Sequence, residues 1–533
     1  MNHAAADAPP ACDDALVHRL RGLLGPDAVE TAADKRVFFS TDIFTRGETS
    51  VAVIAPRTVE QLSQAVALAT EAGHTVVPRG GGFSYTQGYV PIRPDTITVD
   101  LRHLNRIREI NAEDLYVVVE AGVTWTDLYD ALKAKGLRTP YFGPMSGYRA
   151  TVGGALSQGS FFLGSTQYGT TADSVLGLEV VLADGTRLTT GSAASTRADH
   201  PFFRNFGPDL TGLFLNDTGA LGFKAVAMLK LIPFPEHHRY ASFAFDDEPS
   251  ALAALSDVAR AGLAAECYLW DPPFGAQLRS RNSMLDNMRY LGGVLRSGRN
   301  PLAGAIDGLR LALRGKRTFD GKAWLLHCTI DDPSDAGAEG RLQRIRAIAD
   351  GHGAAAVEPS APRAMRGMPF NDFLPLMTQA PEQRNLPTHG IYPHSRIRKV
   401  TADARAFFAR NADRMAKDDI TVGTIFFAIG ANAVCIEPLF YWTDDRLAIH
   451  DRGAERSALD DGPVRAPAGE AVAALRKELV ELFSSHGAVH CQIGKSYPYR
   501  EALRPETYGL LEAVKTAVDP RGLVNPGSLG LAR

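Results

Sequence analysis

The chain has 533 residues, a formal net charge of -3, 45% hydrophobic residues and 22% charged residues. This length predicts two or more lobes, and the near-neutral charge argues against nucleic acid or a membrane surface as the main partner. Five scattered cysteines show no metal-ligand spacing, so we expect a reduced, cytoplasmic protein without a metal site. We expect neither a signal peptide nor a membrane span, because no apolar segment has the required position or length.

The first predicted elements form a β-α-β unit over residues 51–100. The strand VAVIAP precedes the helix TVEQLSQAVALATEAG, whose start carries a capping box of Thr58 and Gln61. The strand HTVVP then ends at three glycines, Gly80–Gly82, before a further strand, TITVDL. Glycine lets a ligand approach the backbone closely, and bare N–H groups attract phosphate. The segment VVPRGGGFSY is therefore either a phosphate cradle or a flexible turn.

Two more glycine-rich segments follow beside predicted strands. One is TPYFGPMSGYRATVGGALSQGS, and the other is LTGLFLNDTGALGFKAVAMLKLIP, which leads into a strand. A hairpin is predicted between them at Asp184-Gly185. Three such loops on one lobe favour a long ligand that lies across several strand ends. The first loop does not match the G-x-G-x-x-G pattern that opens a helix, which disfavours a nicotinamide-binding domain.

From about residue 236 the pattern changes. Strand-like segments such as WLLHCTI and AVCIEPLFYW alternate with helical ones, which predicts an α+β second lobe. Residues 279–317 are rich in arginine, and we expect a solvated cap helix there rather than a membrane- or partner-docking helix. The C-terminal segment AVDPRGLVNPGSLGL reads as a loop that returns to the first lobe.

The three loops and the tail together resemble the vanillyl-alcohol oxidase/p-cresol methylhydroxylase flavoprotein family. The resemblance covers residues 50–235 and 518–528 and is carried by PRGGGFSY, GPMSGYRATVGGALSQGS, LFLNDTGALGFKAVAMLKL and DPRGLVNPG. It implies an α+β fold with an FAD-binding lobe of two subdomains, residues 1–235. It also implies a substrate or cap lobe with an antiparallel sheet, residues 236–490, and a C-terminal segment, residues 491–533, that returns to the FAD-binding lobe.

The resemblance implies FAD as cofactor and assigns residues to it. The first loop would wrap the pyrophosphate, the second would line the other side of the cofactor, and the third would approach the adenine. The residues implied are Pro78, Arg79, Gly80, Gly81, Gly82, Phe83, Ser84, Pro144, Ser146, Thr151, Gly153, Gly154, Gly219, Gly222, Phe223 and Asn525.

Covalent attachment of the flavin is a separate question. His389, in THGIYPHS, falls where the aryl-alcohol oxidase branch of the family has a flavin-linked histidine. His389 is therefore either a tether or an ordinary polar loop residue. Other branches use a histidine in the first loop, and Phe83 at that position excludes a tether there.

The family reaction is oxidation of a C–H bond next to oxygen, nitrogen or an aromatic ring. Tyr85 aligns with a tyrosine that phenol-oxidising members place against the substrate oxygen, although simple packing is the alternative. That branch also needs a carboxylate where this chain has Ser157, and a Tyr-Arg pair. An ungapped comparison puts His490-Cys491 at that pair, whereas Tyr499-Arg500 follow a few residues later. These departures weigh against a 4-substituted phenol as substrate.

A His–Glu pair of His490 and Glu437 is a further acid–base set, because such groups accept a proton near neutral pH. A histidine that only packs in the core is the alternative. The predicted catalytic residues are Tyr85, His490, Glu437, Tyr499 and Arg500.

We therefore predict an FAD-dependent oxidoreductase that takes hydride from a small alcohol, aromatic or hydroxylated substrate to flavin N5. Oxygen or an electron carrier would reoxidise it, and the resemblance implies a homodimer. One alternative is a D-2-hydroxyacid dehydrogenase of the lactate or glycolate type, although the His-rich metal motif of that branch is absent from the sequence. Another is a nucleotide-binding protein without turnover.

Overall fold

The computed structural model describes residues 14–279, 323–370, 383–451 and 457–531. In these ranges the β-strands are β1 Val29–Glu30, β2 Ala52–Ile54, β3 Thr75–Arg79, β4 Thr96–Asp100, β5 Ile107–Asn111, β6 Tyr116–Glu120, β7 Leu137–Arg138, β8 Val175–Val181, β9 Arg187–Thr189, β10 Phe223–Lys230, β11 Ile232–Pro233, β12 His237–Phe245, β13 Glu266–Trp270, β14 Trp324–Asp332, β15 Ala355–Val357, β16 Gln383–Pro387, β17 Gly390–Pro393, β18 Thr421–Ile429 and β19 Ala433–Thr443.

The α-helices of the described ranges connect and flank these strands. They are Asp14–Leu24, Ala33–Phe39, Val59–Glu71, Trp125–Lys133, Val152–Gln158, Ser165–Tyr168, Leu210–Leu213, Glu248–Arg260, Pro272–Arg279, Asp335–Gly351, Ser360–Gly367, His394–Arg410, Ala412–Lys417, Pro467–Ser485, Tyr499–Ala502 and Pro505–Val518. No helix within the described ranges is long and apolar enough to cross a membrane.

The first sheet contains the β-α-β unit predicted from the sequence. Its strand order is β1-β2-β4-β3, and β2, β4 and β3 run parallel. The helix Val59–Glu71 joins β2 to β3, and its apolar face, which includes Leu62 and Val66, is buried. Thr58 accepts a hydrogen bond from the backbone of Gln61, as a capping residue does. The loop Gly80–Ser84 therefore starts at the carboxyl end of a buried parallel strand.

The second sheet is antiparallel, with the order β5-β6-β10-β8-β9. The predicted hairpin at Asp184-Gly185 joins β8 to β9, and Gly185 has a φ of +82° that suits such a turn. The third glycine-rich segment leads into β10, in the middle of the sheet. Both sheets therefore bring glycine-rich loops to strand ends in the first lobe, which we define by strands β1–β11.

The cap lobe, defined by strands β12–β19, is built on one large antiparallel sheet. Its order is β15-β12-β14-β13-β18-β19-β16, and β17 also pairs with β19. One face packs under the helices His394–Arg410 and Pro467–Ser485. The opposite face, here called the cavity face, turns toward the first lobe. The α+β fold with an antiparallel cap sheet is thus confirmed.

The C-terminal segment packs back onto the first lobe. Val524 pairs with Val76 of β3, and the backbone of Asn525 donates a hydrogen bond of 2.8 Å to the Val76 carbonyl. The boundaries at residues 235 and 490 stay predictions. The cap helix predicted over residues 279–317 lies outside the described residues, apart from Arg279 at the end of a helix.

Candidate active site

The first glycine-rich loop offers a row of unused hydrogen-bond donors. The backbone N–H groups of Gly80–Ser84 donate to no acceptor within the part of the chain that the structure describes. Buried backbone donors are otherwise nearly always paired, so consecutive free N–H groups at a strand end suit an anionic ligand. The loop therefore has the geometry of an anion cradle, which favours this prediction over a flexible turn.

The glycines of this loop are required because other backbone lies against them. A Cβ atom on Gly81 would lie 2.0 Å from the carbonyl oxygen of Arg149, and one on Gly80 would lie 2.4 Å from Thr151 Oγ1. Gly82 has a φ of +67°, and a Cβ there would meet the guanidinium of Arg79. The first and second loops thus touch at backbone distance, which excludes side chains from the cradle.

Arg79 lies behind the cradle, not in it. Its guanidinium is buried between the rings of Phe38, Phe39 and Tyr89, and its Nε and Nη2 atoms have no hydrogen-bond partner among the described residues. Burial lowers the pKa of this guanidinium. Its charge therefore lies directly under the Gly82 backbone, where it favours an anion above the loop.

The third loop is held by an ion pair that sequence reasoning missed. Lys224 donates a bond of 2.6 Å to Asp217, and the same carboxylate accepts from the backbone of Gly219 and Leu221. Gly219 has a φ of +72° and packs on the ring of Pro78. The pair thus fixes the loop against the end of β3.

The C-terminal segment joins the residues that follow the first loop to the third loop through hydrogen bonds. Asn525, predicted as a cofactor-binding residue, donates bonds of 2.8 and 2.7 Å to the carbonyls of Gly88 and Thr218. Its side-chain oxygen accepts from Lys495, which also donates to the carbonyl of Val90. Asn525 is not among the described residues that line the cavity below. Its observed contacts are those of a clamp between loops.

The three loops and the cavity face of the cap sheet enclose one continuous cavity of about 270 Å³. Its described lining residues are Ile43, Pro78, Gly80, Gly81, Gly82, Phe83, Ser84, Tyr85, Gly88, Tyr89, Leu101, Ala121, Pro144, Met145, Ser146, Ala150, Thr151, Gly153, Gly154, Ala155, Ser157, Gln158, Ser160, Phe161, Phe162, Thr218, Gly222, Lys224, Asn385, Pro387, Ile425, Phe427, Glu437, Leu439 and Gln492. Most of the residues predicted for the cofactor are in this set.

Glu437 is the acidic side chain of the described cavity lining. It lies on β19 opposite Ile425 of β18, and its carboxyl group makes no hydrogen bond within the described ranges. Burial raises its pKa from 4.5 to about 7. A carboxyl group with this pKa is partly ionised near neutral pH, so it can accept or return a proton there.

Tyr85 lines the cavity at the end of the first loop. Burial, followed by the charge of Glu437, raises the pKa of its phenol well above the ordinary value, so the phenol is protonated at neutral pH. Its backbone carbonyl accepts a bond of 3.1 Å from Arg476, a buried residue that sequence reasoning missed. The structure therefore brings Tyr85 and Glu437 into one cavity, with Tyr85 able to donate a hydrogen bond.

His389 and His490 belong to a buried cluster that is not part of the described cavity lining. The Tyr497 hydroxyl lies 3.0 Å from His389 Nδ1, and Cys491 Sγ lies 3.4 Å from His389 Nε2. His490 donates through Nδ1 to the His389 carbonyl at 2.9 Å and stacks on the ring of Tyr497. Burial lowers the pKa of His389 and brings the pKa of His490 to about 4.

The pairing of His490 with Glu437 remains a prediction, and both alternatives for His389 stand; the described cavity lining contains neither histidine. Both ring nitrogens of His389 have partners. Tyr499 and Arg500 also lie away from the described lining, and the Arg500 guanidinium is exposed over the ring of Tyr508. Phe223 is buried in the core of the first lobe.

The residues present fit FAD. The free donors of Gly80–Ser84 match a pyrophosphate, and the glycines leave room for it at backbone distance. The cavity continues from this cradle to the cap face, where Tyr85 and Glu437 lie among apolar side chains. Within the described residues, no group of three or more His, Cys, Asp or Glu side chains could hold a metal ion.

Comparisons with known proteins agree with this site. Residues 50–191 match the family model described as FAD binding domain, and residues 474–529 match FAD linked oxidases, C-terminal domain. The chain is 32% identical over 235 residues to glycolate oxidase subunit GlcD of Bacillus subtilis, covering 44% of this chain and 48% of that protein. It is 29% identical over 263 residues to mitochondrial D-lactate dehydrogenase (cytochrome) 1 of Saccharomyces cerevisiae, covering 48% and 43%. The chain thus spans about half the length of the curated relatives it matches.

Solved structures show the same fold. A p-cresol methylhydroxylase with substrate bound superposes with a TM-score of 0.75 at 18% identity, covering 97% of both chains. An alkyldihydroxyacetonephosphate synthase superposes with a TM-score of 0.69 at 16% identity, covering 98% of this chain and 86% of the other. The two domain matches support FAD as the ligand of the cradle. The chain thus has the fold of p-cresol methylhydroxylase, in agreement with the resemblance seen in the sequence.

Proposed function

We propose that the protein oxidises a small, uncharged hydroxylated molecule, an alcohol or a hydroxylated aromatic, by hydride transfer to FAD. The observation that carries this proposal is the Glu437 carboxyl group, which has a pKa of about 7 and faces the cavity without a hydrogen-bond partner in the described residues. The chemistry that FAD supplies when bound is the acceptance of a hydride at N5 of its isoalloxazine ring.

Residues of the chain itself accept the hydroxyl proton of the substrate and orient its oxygen. Glu437 accepts the hydroxyl proton of the substrate, while the C–H hydrogen leaves with its electron pair and the C–O bond becomes a carbonyl. The Tyr85 phenol, protonated at neutral pH, donates a hydrogen bond that orients the substrate oxygen. Phe161, Phe162 and Phe427 pack around the cavity and exclude water, which strengthens these electrostatic interactions.

The charges of the cavity support an uncharged substrate. Lys224 is the cationic side chain among the described lining residues, and it is already paired with Asp217. A substrate carboxylate 5 Å from ionised Glu437 would be repelled by about 3 kcal/mol at an effective dielectric constant of 20. A 2-hydroxyacid would therefore bind poorly beside an ionised Glu437.

The second candidate is a D-2-hydroxyacid dehydrogenase. It is supported by the similarity to glycolate oxidase subunit GlcD and to D-lactate dehydrogenase over about half of their lengths. In that case neutral Glu437 would tolerate the substrate carboxylate, and oxidation would be favoured below pH 7. The two candidates therefore differ in both substrate charge and pH dependence.

The test is anaerobic reduction of the bound flavin, followed by loss of its visible absorbance. The panel consists of benzyl alcohol, 1-octanol, 4-ethylphenol, D-lactate and glycolate. We expect an uncharged member to bleach the flavin and the two hydroxyacids to leave it oxidised. Bleaching by D-lactate or glycolate alone would overturn the proposal in favour of the second candidate.

The remaining properties are proposals as well. We propose reoxidation by oxygen or an electron carrier, a homodimer, and a cytoplasmic location. The location is supported by four buried free cysteines among the described residues, which suit a reducing compartment. Hydrogen peroxide formation with air, compared with reduction of ferricyanide, distinguishes the two electron acceptors, and light scattering measures the oligomeric state.

A further inference from the structure

Two polar side chains in the described cavity lining come from neighbouring strands of the cap sheet's cavity face. Glu437 and Leu439 of β19 line the cavity, as do Asn385 and Pro387 of β16. The register of the two strands pairs Pro387 with Leu439 and Asn385 with Tyr441. Because alternate residues of a strand share a face, all five side chains belong to the same face of the sheet.

Sheet geometry fixes how far apart the two polar groups are. Tyr441, the partner of Asn385, lies four residues beyond Glu437 on β19. At about 3.4 Å per residue along the strand and about 4.8 Å between strands, the Cα atoms of Glu437 and Asn385 are about 14 Å apart. Leu439 and Pro387 lie between them. Along this face, the two polar side chains of the cavity lining are therefore separated by apolar ones.

The Asn385 amide has no partner among the residues that the structure describes. It makes no hydrogen bond within the described ranges, and the residue is partly accessible where it lines the cavity. An amide can donate two hydrogen bonds and accept two, and leaving these unmade next to apolar side chains is costly. Its neutral charge favours a neutral partner such as a hydroxyl or carbonyl group.

We propose that Asn385 is a specificity-determining residue that binds a second neutral polar group of an elongated substrate. The first hydroxyl lies at Glu437 and is oxidised there, and the apolar middle of the substrate packs on Leu439 and Pro387. This inference rests on the proposed function, because it takes the site of oxidation to be at Glu437. The substrate class is thus a neutral, bifunctional alcohol with an apolar spacer.

The test uses two matched series of probes. Linear α,ω-diols from four to ten carbons are compared with the primary alcohols of the same lengths, by anaerobic flavin reduction with the holoenzyme. We expect the diols to show an optimum length that the simple alcohols lack. In Asn385→Leu this optimum should disappear. The apparent dissociation constant of the diol with the optimum length should rise about 10-fold, whereas the constants of the simple alcohols should change less than twofold.

The control variant is Gln383→Leu, on the same strand and the same face but absent from the described cavity lining. It should keep the optimum. The dissociation constant of FAD, measured by flavin fluorescence, should be unchanged in Asn385→Leu. Identical length profiles for the two series, or weaker FAD binding in Asn385→Leu, would overturn the role of Asn385. Failure of both series while benzyl alcohol or 4-ethylphenol bleaches the flavin would also overturn it, whereas failure of all these compounds would overturn the proposed function instead.

Discussion

Replacement of Glu437 by glutamine separates the energetic and catalytic consequences of one buried carboxyl group. Burial raises its pKa from 4.5 to about 7. At about 1.4 kcal/mol per pH unit, this rise corresponds to about 3 kcal/mol, an upper value because the side chain is partly accessible from the cavity. The folded pKa lies above the unfolded one, so the native apoprotein loses this free energy as the pH rises from about 4.5 to 7.

Glutamine has nearly the same shape and does not titrate. Wild type and Glu437→Gln should therefore have similar free energies of unfolding at pH 4.5, and the variant should be more stable by up to about 3 kcal/mol at pH 8. Urea unfolding of the apoproteins, followed by tryptophan fluorescence at several pH values, measures the difference.

The rate of flavin reduction in the holoenzyme should rise with pH, whereas the stability of the apoprotein falls. If Glu437 accepts the hydroxyl proton, flavin reduction by an alcohol should accelerate as the pH rises toward 7 and then level off. Glu437→Gln should be slower by about 10²- to 10⁴-fold and lose this pH dependence, whereas Glu437→Asp should retain it. Parallel stability curves for wild type and Glu437→Gln, or an unchanged rate profile, would refute the assignment of the base.

Three further predictions concern glycines and the flavin linkage. Gly494→Ala should cost more than about 2 kcal/mol in urea unfolding, because its Cβ would lie 1.9 Å from the Thr86 carbonyl oxygen. Gly136→Ala, with a similar positive φ but open space, should cost about 1–2 kcal/mol, and equal costs would contradict the clash. Gly81→Ala should weaken FAD binding at least about 10-fold in a fluorescence titration, and unchanged affinity would contradict the cradle. Acid denaturation should release the flavin, because both ring nitrogens of His389 have protein partners, and flavin that stays with the chain would show a covalent bond.

Local pattern was sufficient for the β-α-β unit and the hairpin of the first lobe. The helix after β2 follows from its apolar spacing and its cap at Thr58, and the hairpin at Asp184-Gly185 follows from turn chemistry. The position of β10 between β6 and β8 could not be predicted, because it depends on pairing between segments more than 40 residues apart in the chain. Such pairing is decided by packing of the whole lobe, not by any local preference.

The residues of the candidate site also fall into two groups, those that local sequence predicts and those that depend on contacts between distant segments. A role of Gly80–Gly82 in ligand binding could be predicted, because a run of glycines at a strand end has few structural uses. Glu437 could be proposed from its place in an apolar strand, but its approach to Tyr85 depends on how the cap lobe covers the first lobe. The roles of Lys495 and Arg476 could not be predicted, because the carbonyl groups that accept their hydrogen bonds lie about 390 to 410 residues away in the chain.

These long-range contacts explain why the cavity needs both ends of the chain. Lys495 joins three carbonyls of the first loop region to the Asn525 side chain, and Asn525 in turn donates to the third loop at Thr218. Burial lowers the pKa of Lys495 to about 7, a cost that the four oxygen acceptors around its Nζ offset. These contacts hold the chain that follows the first loop against the third loop. We therefore expect binding of FAD and docking of the C-terminal segment to be coupled, so that each stabilises the other.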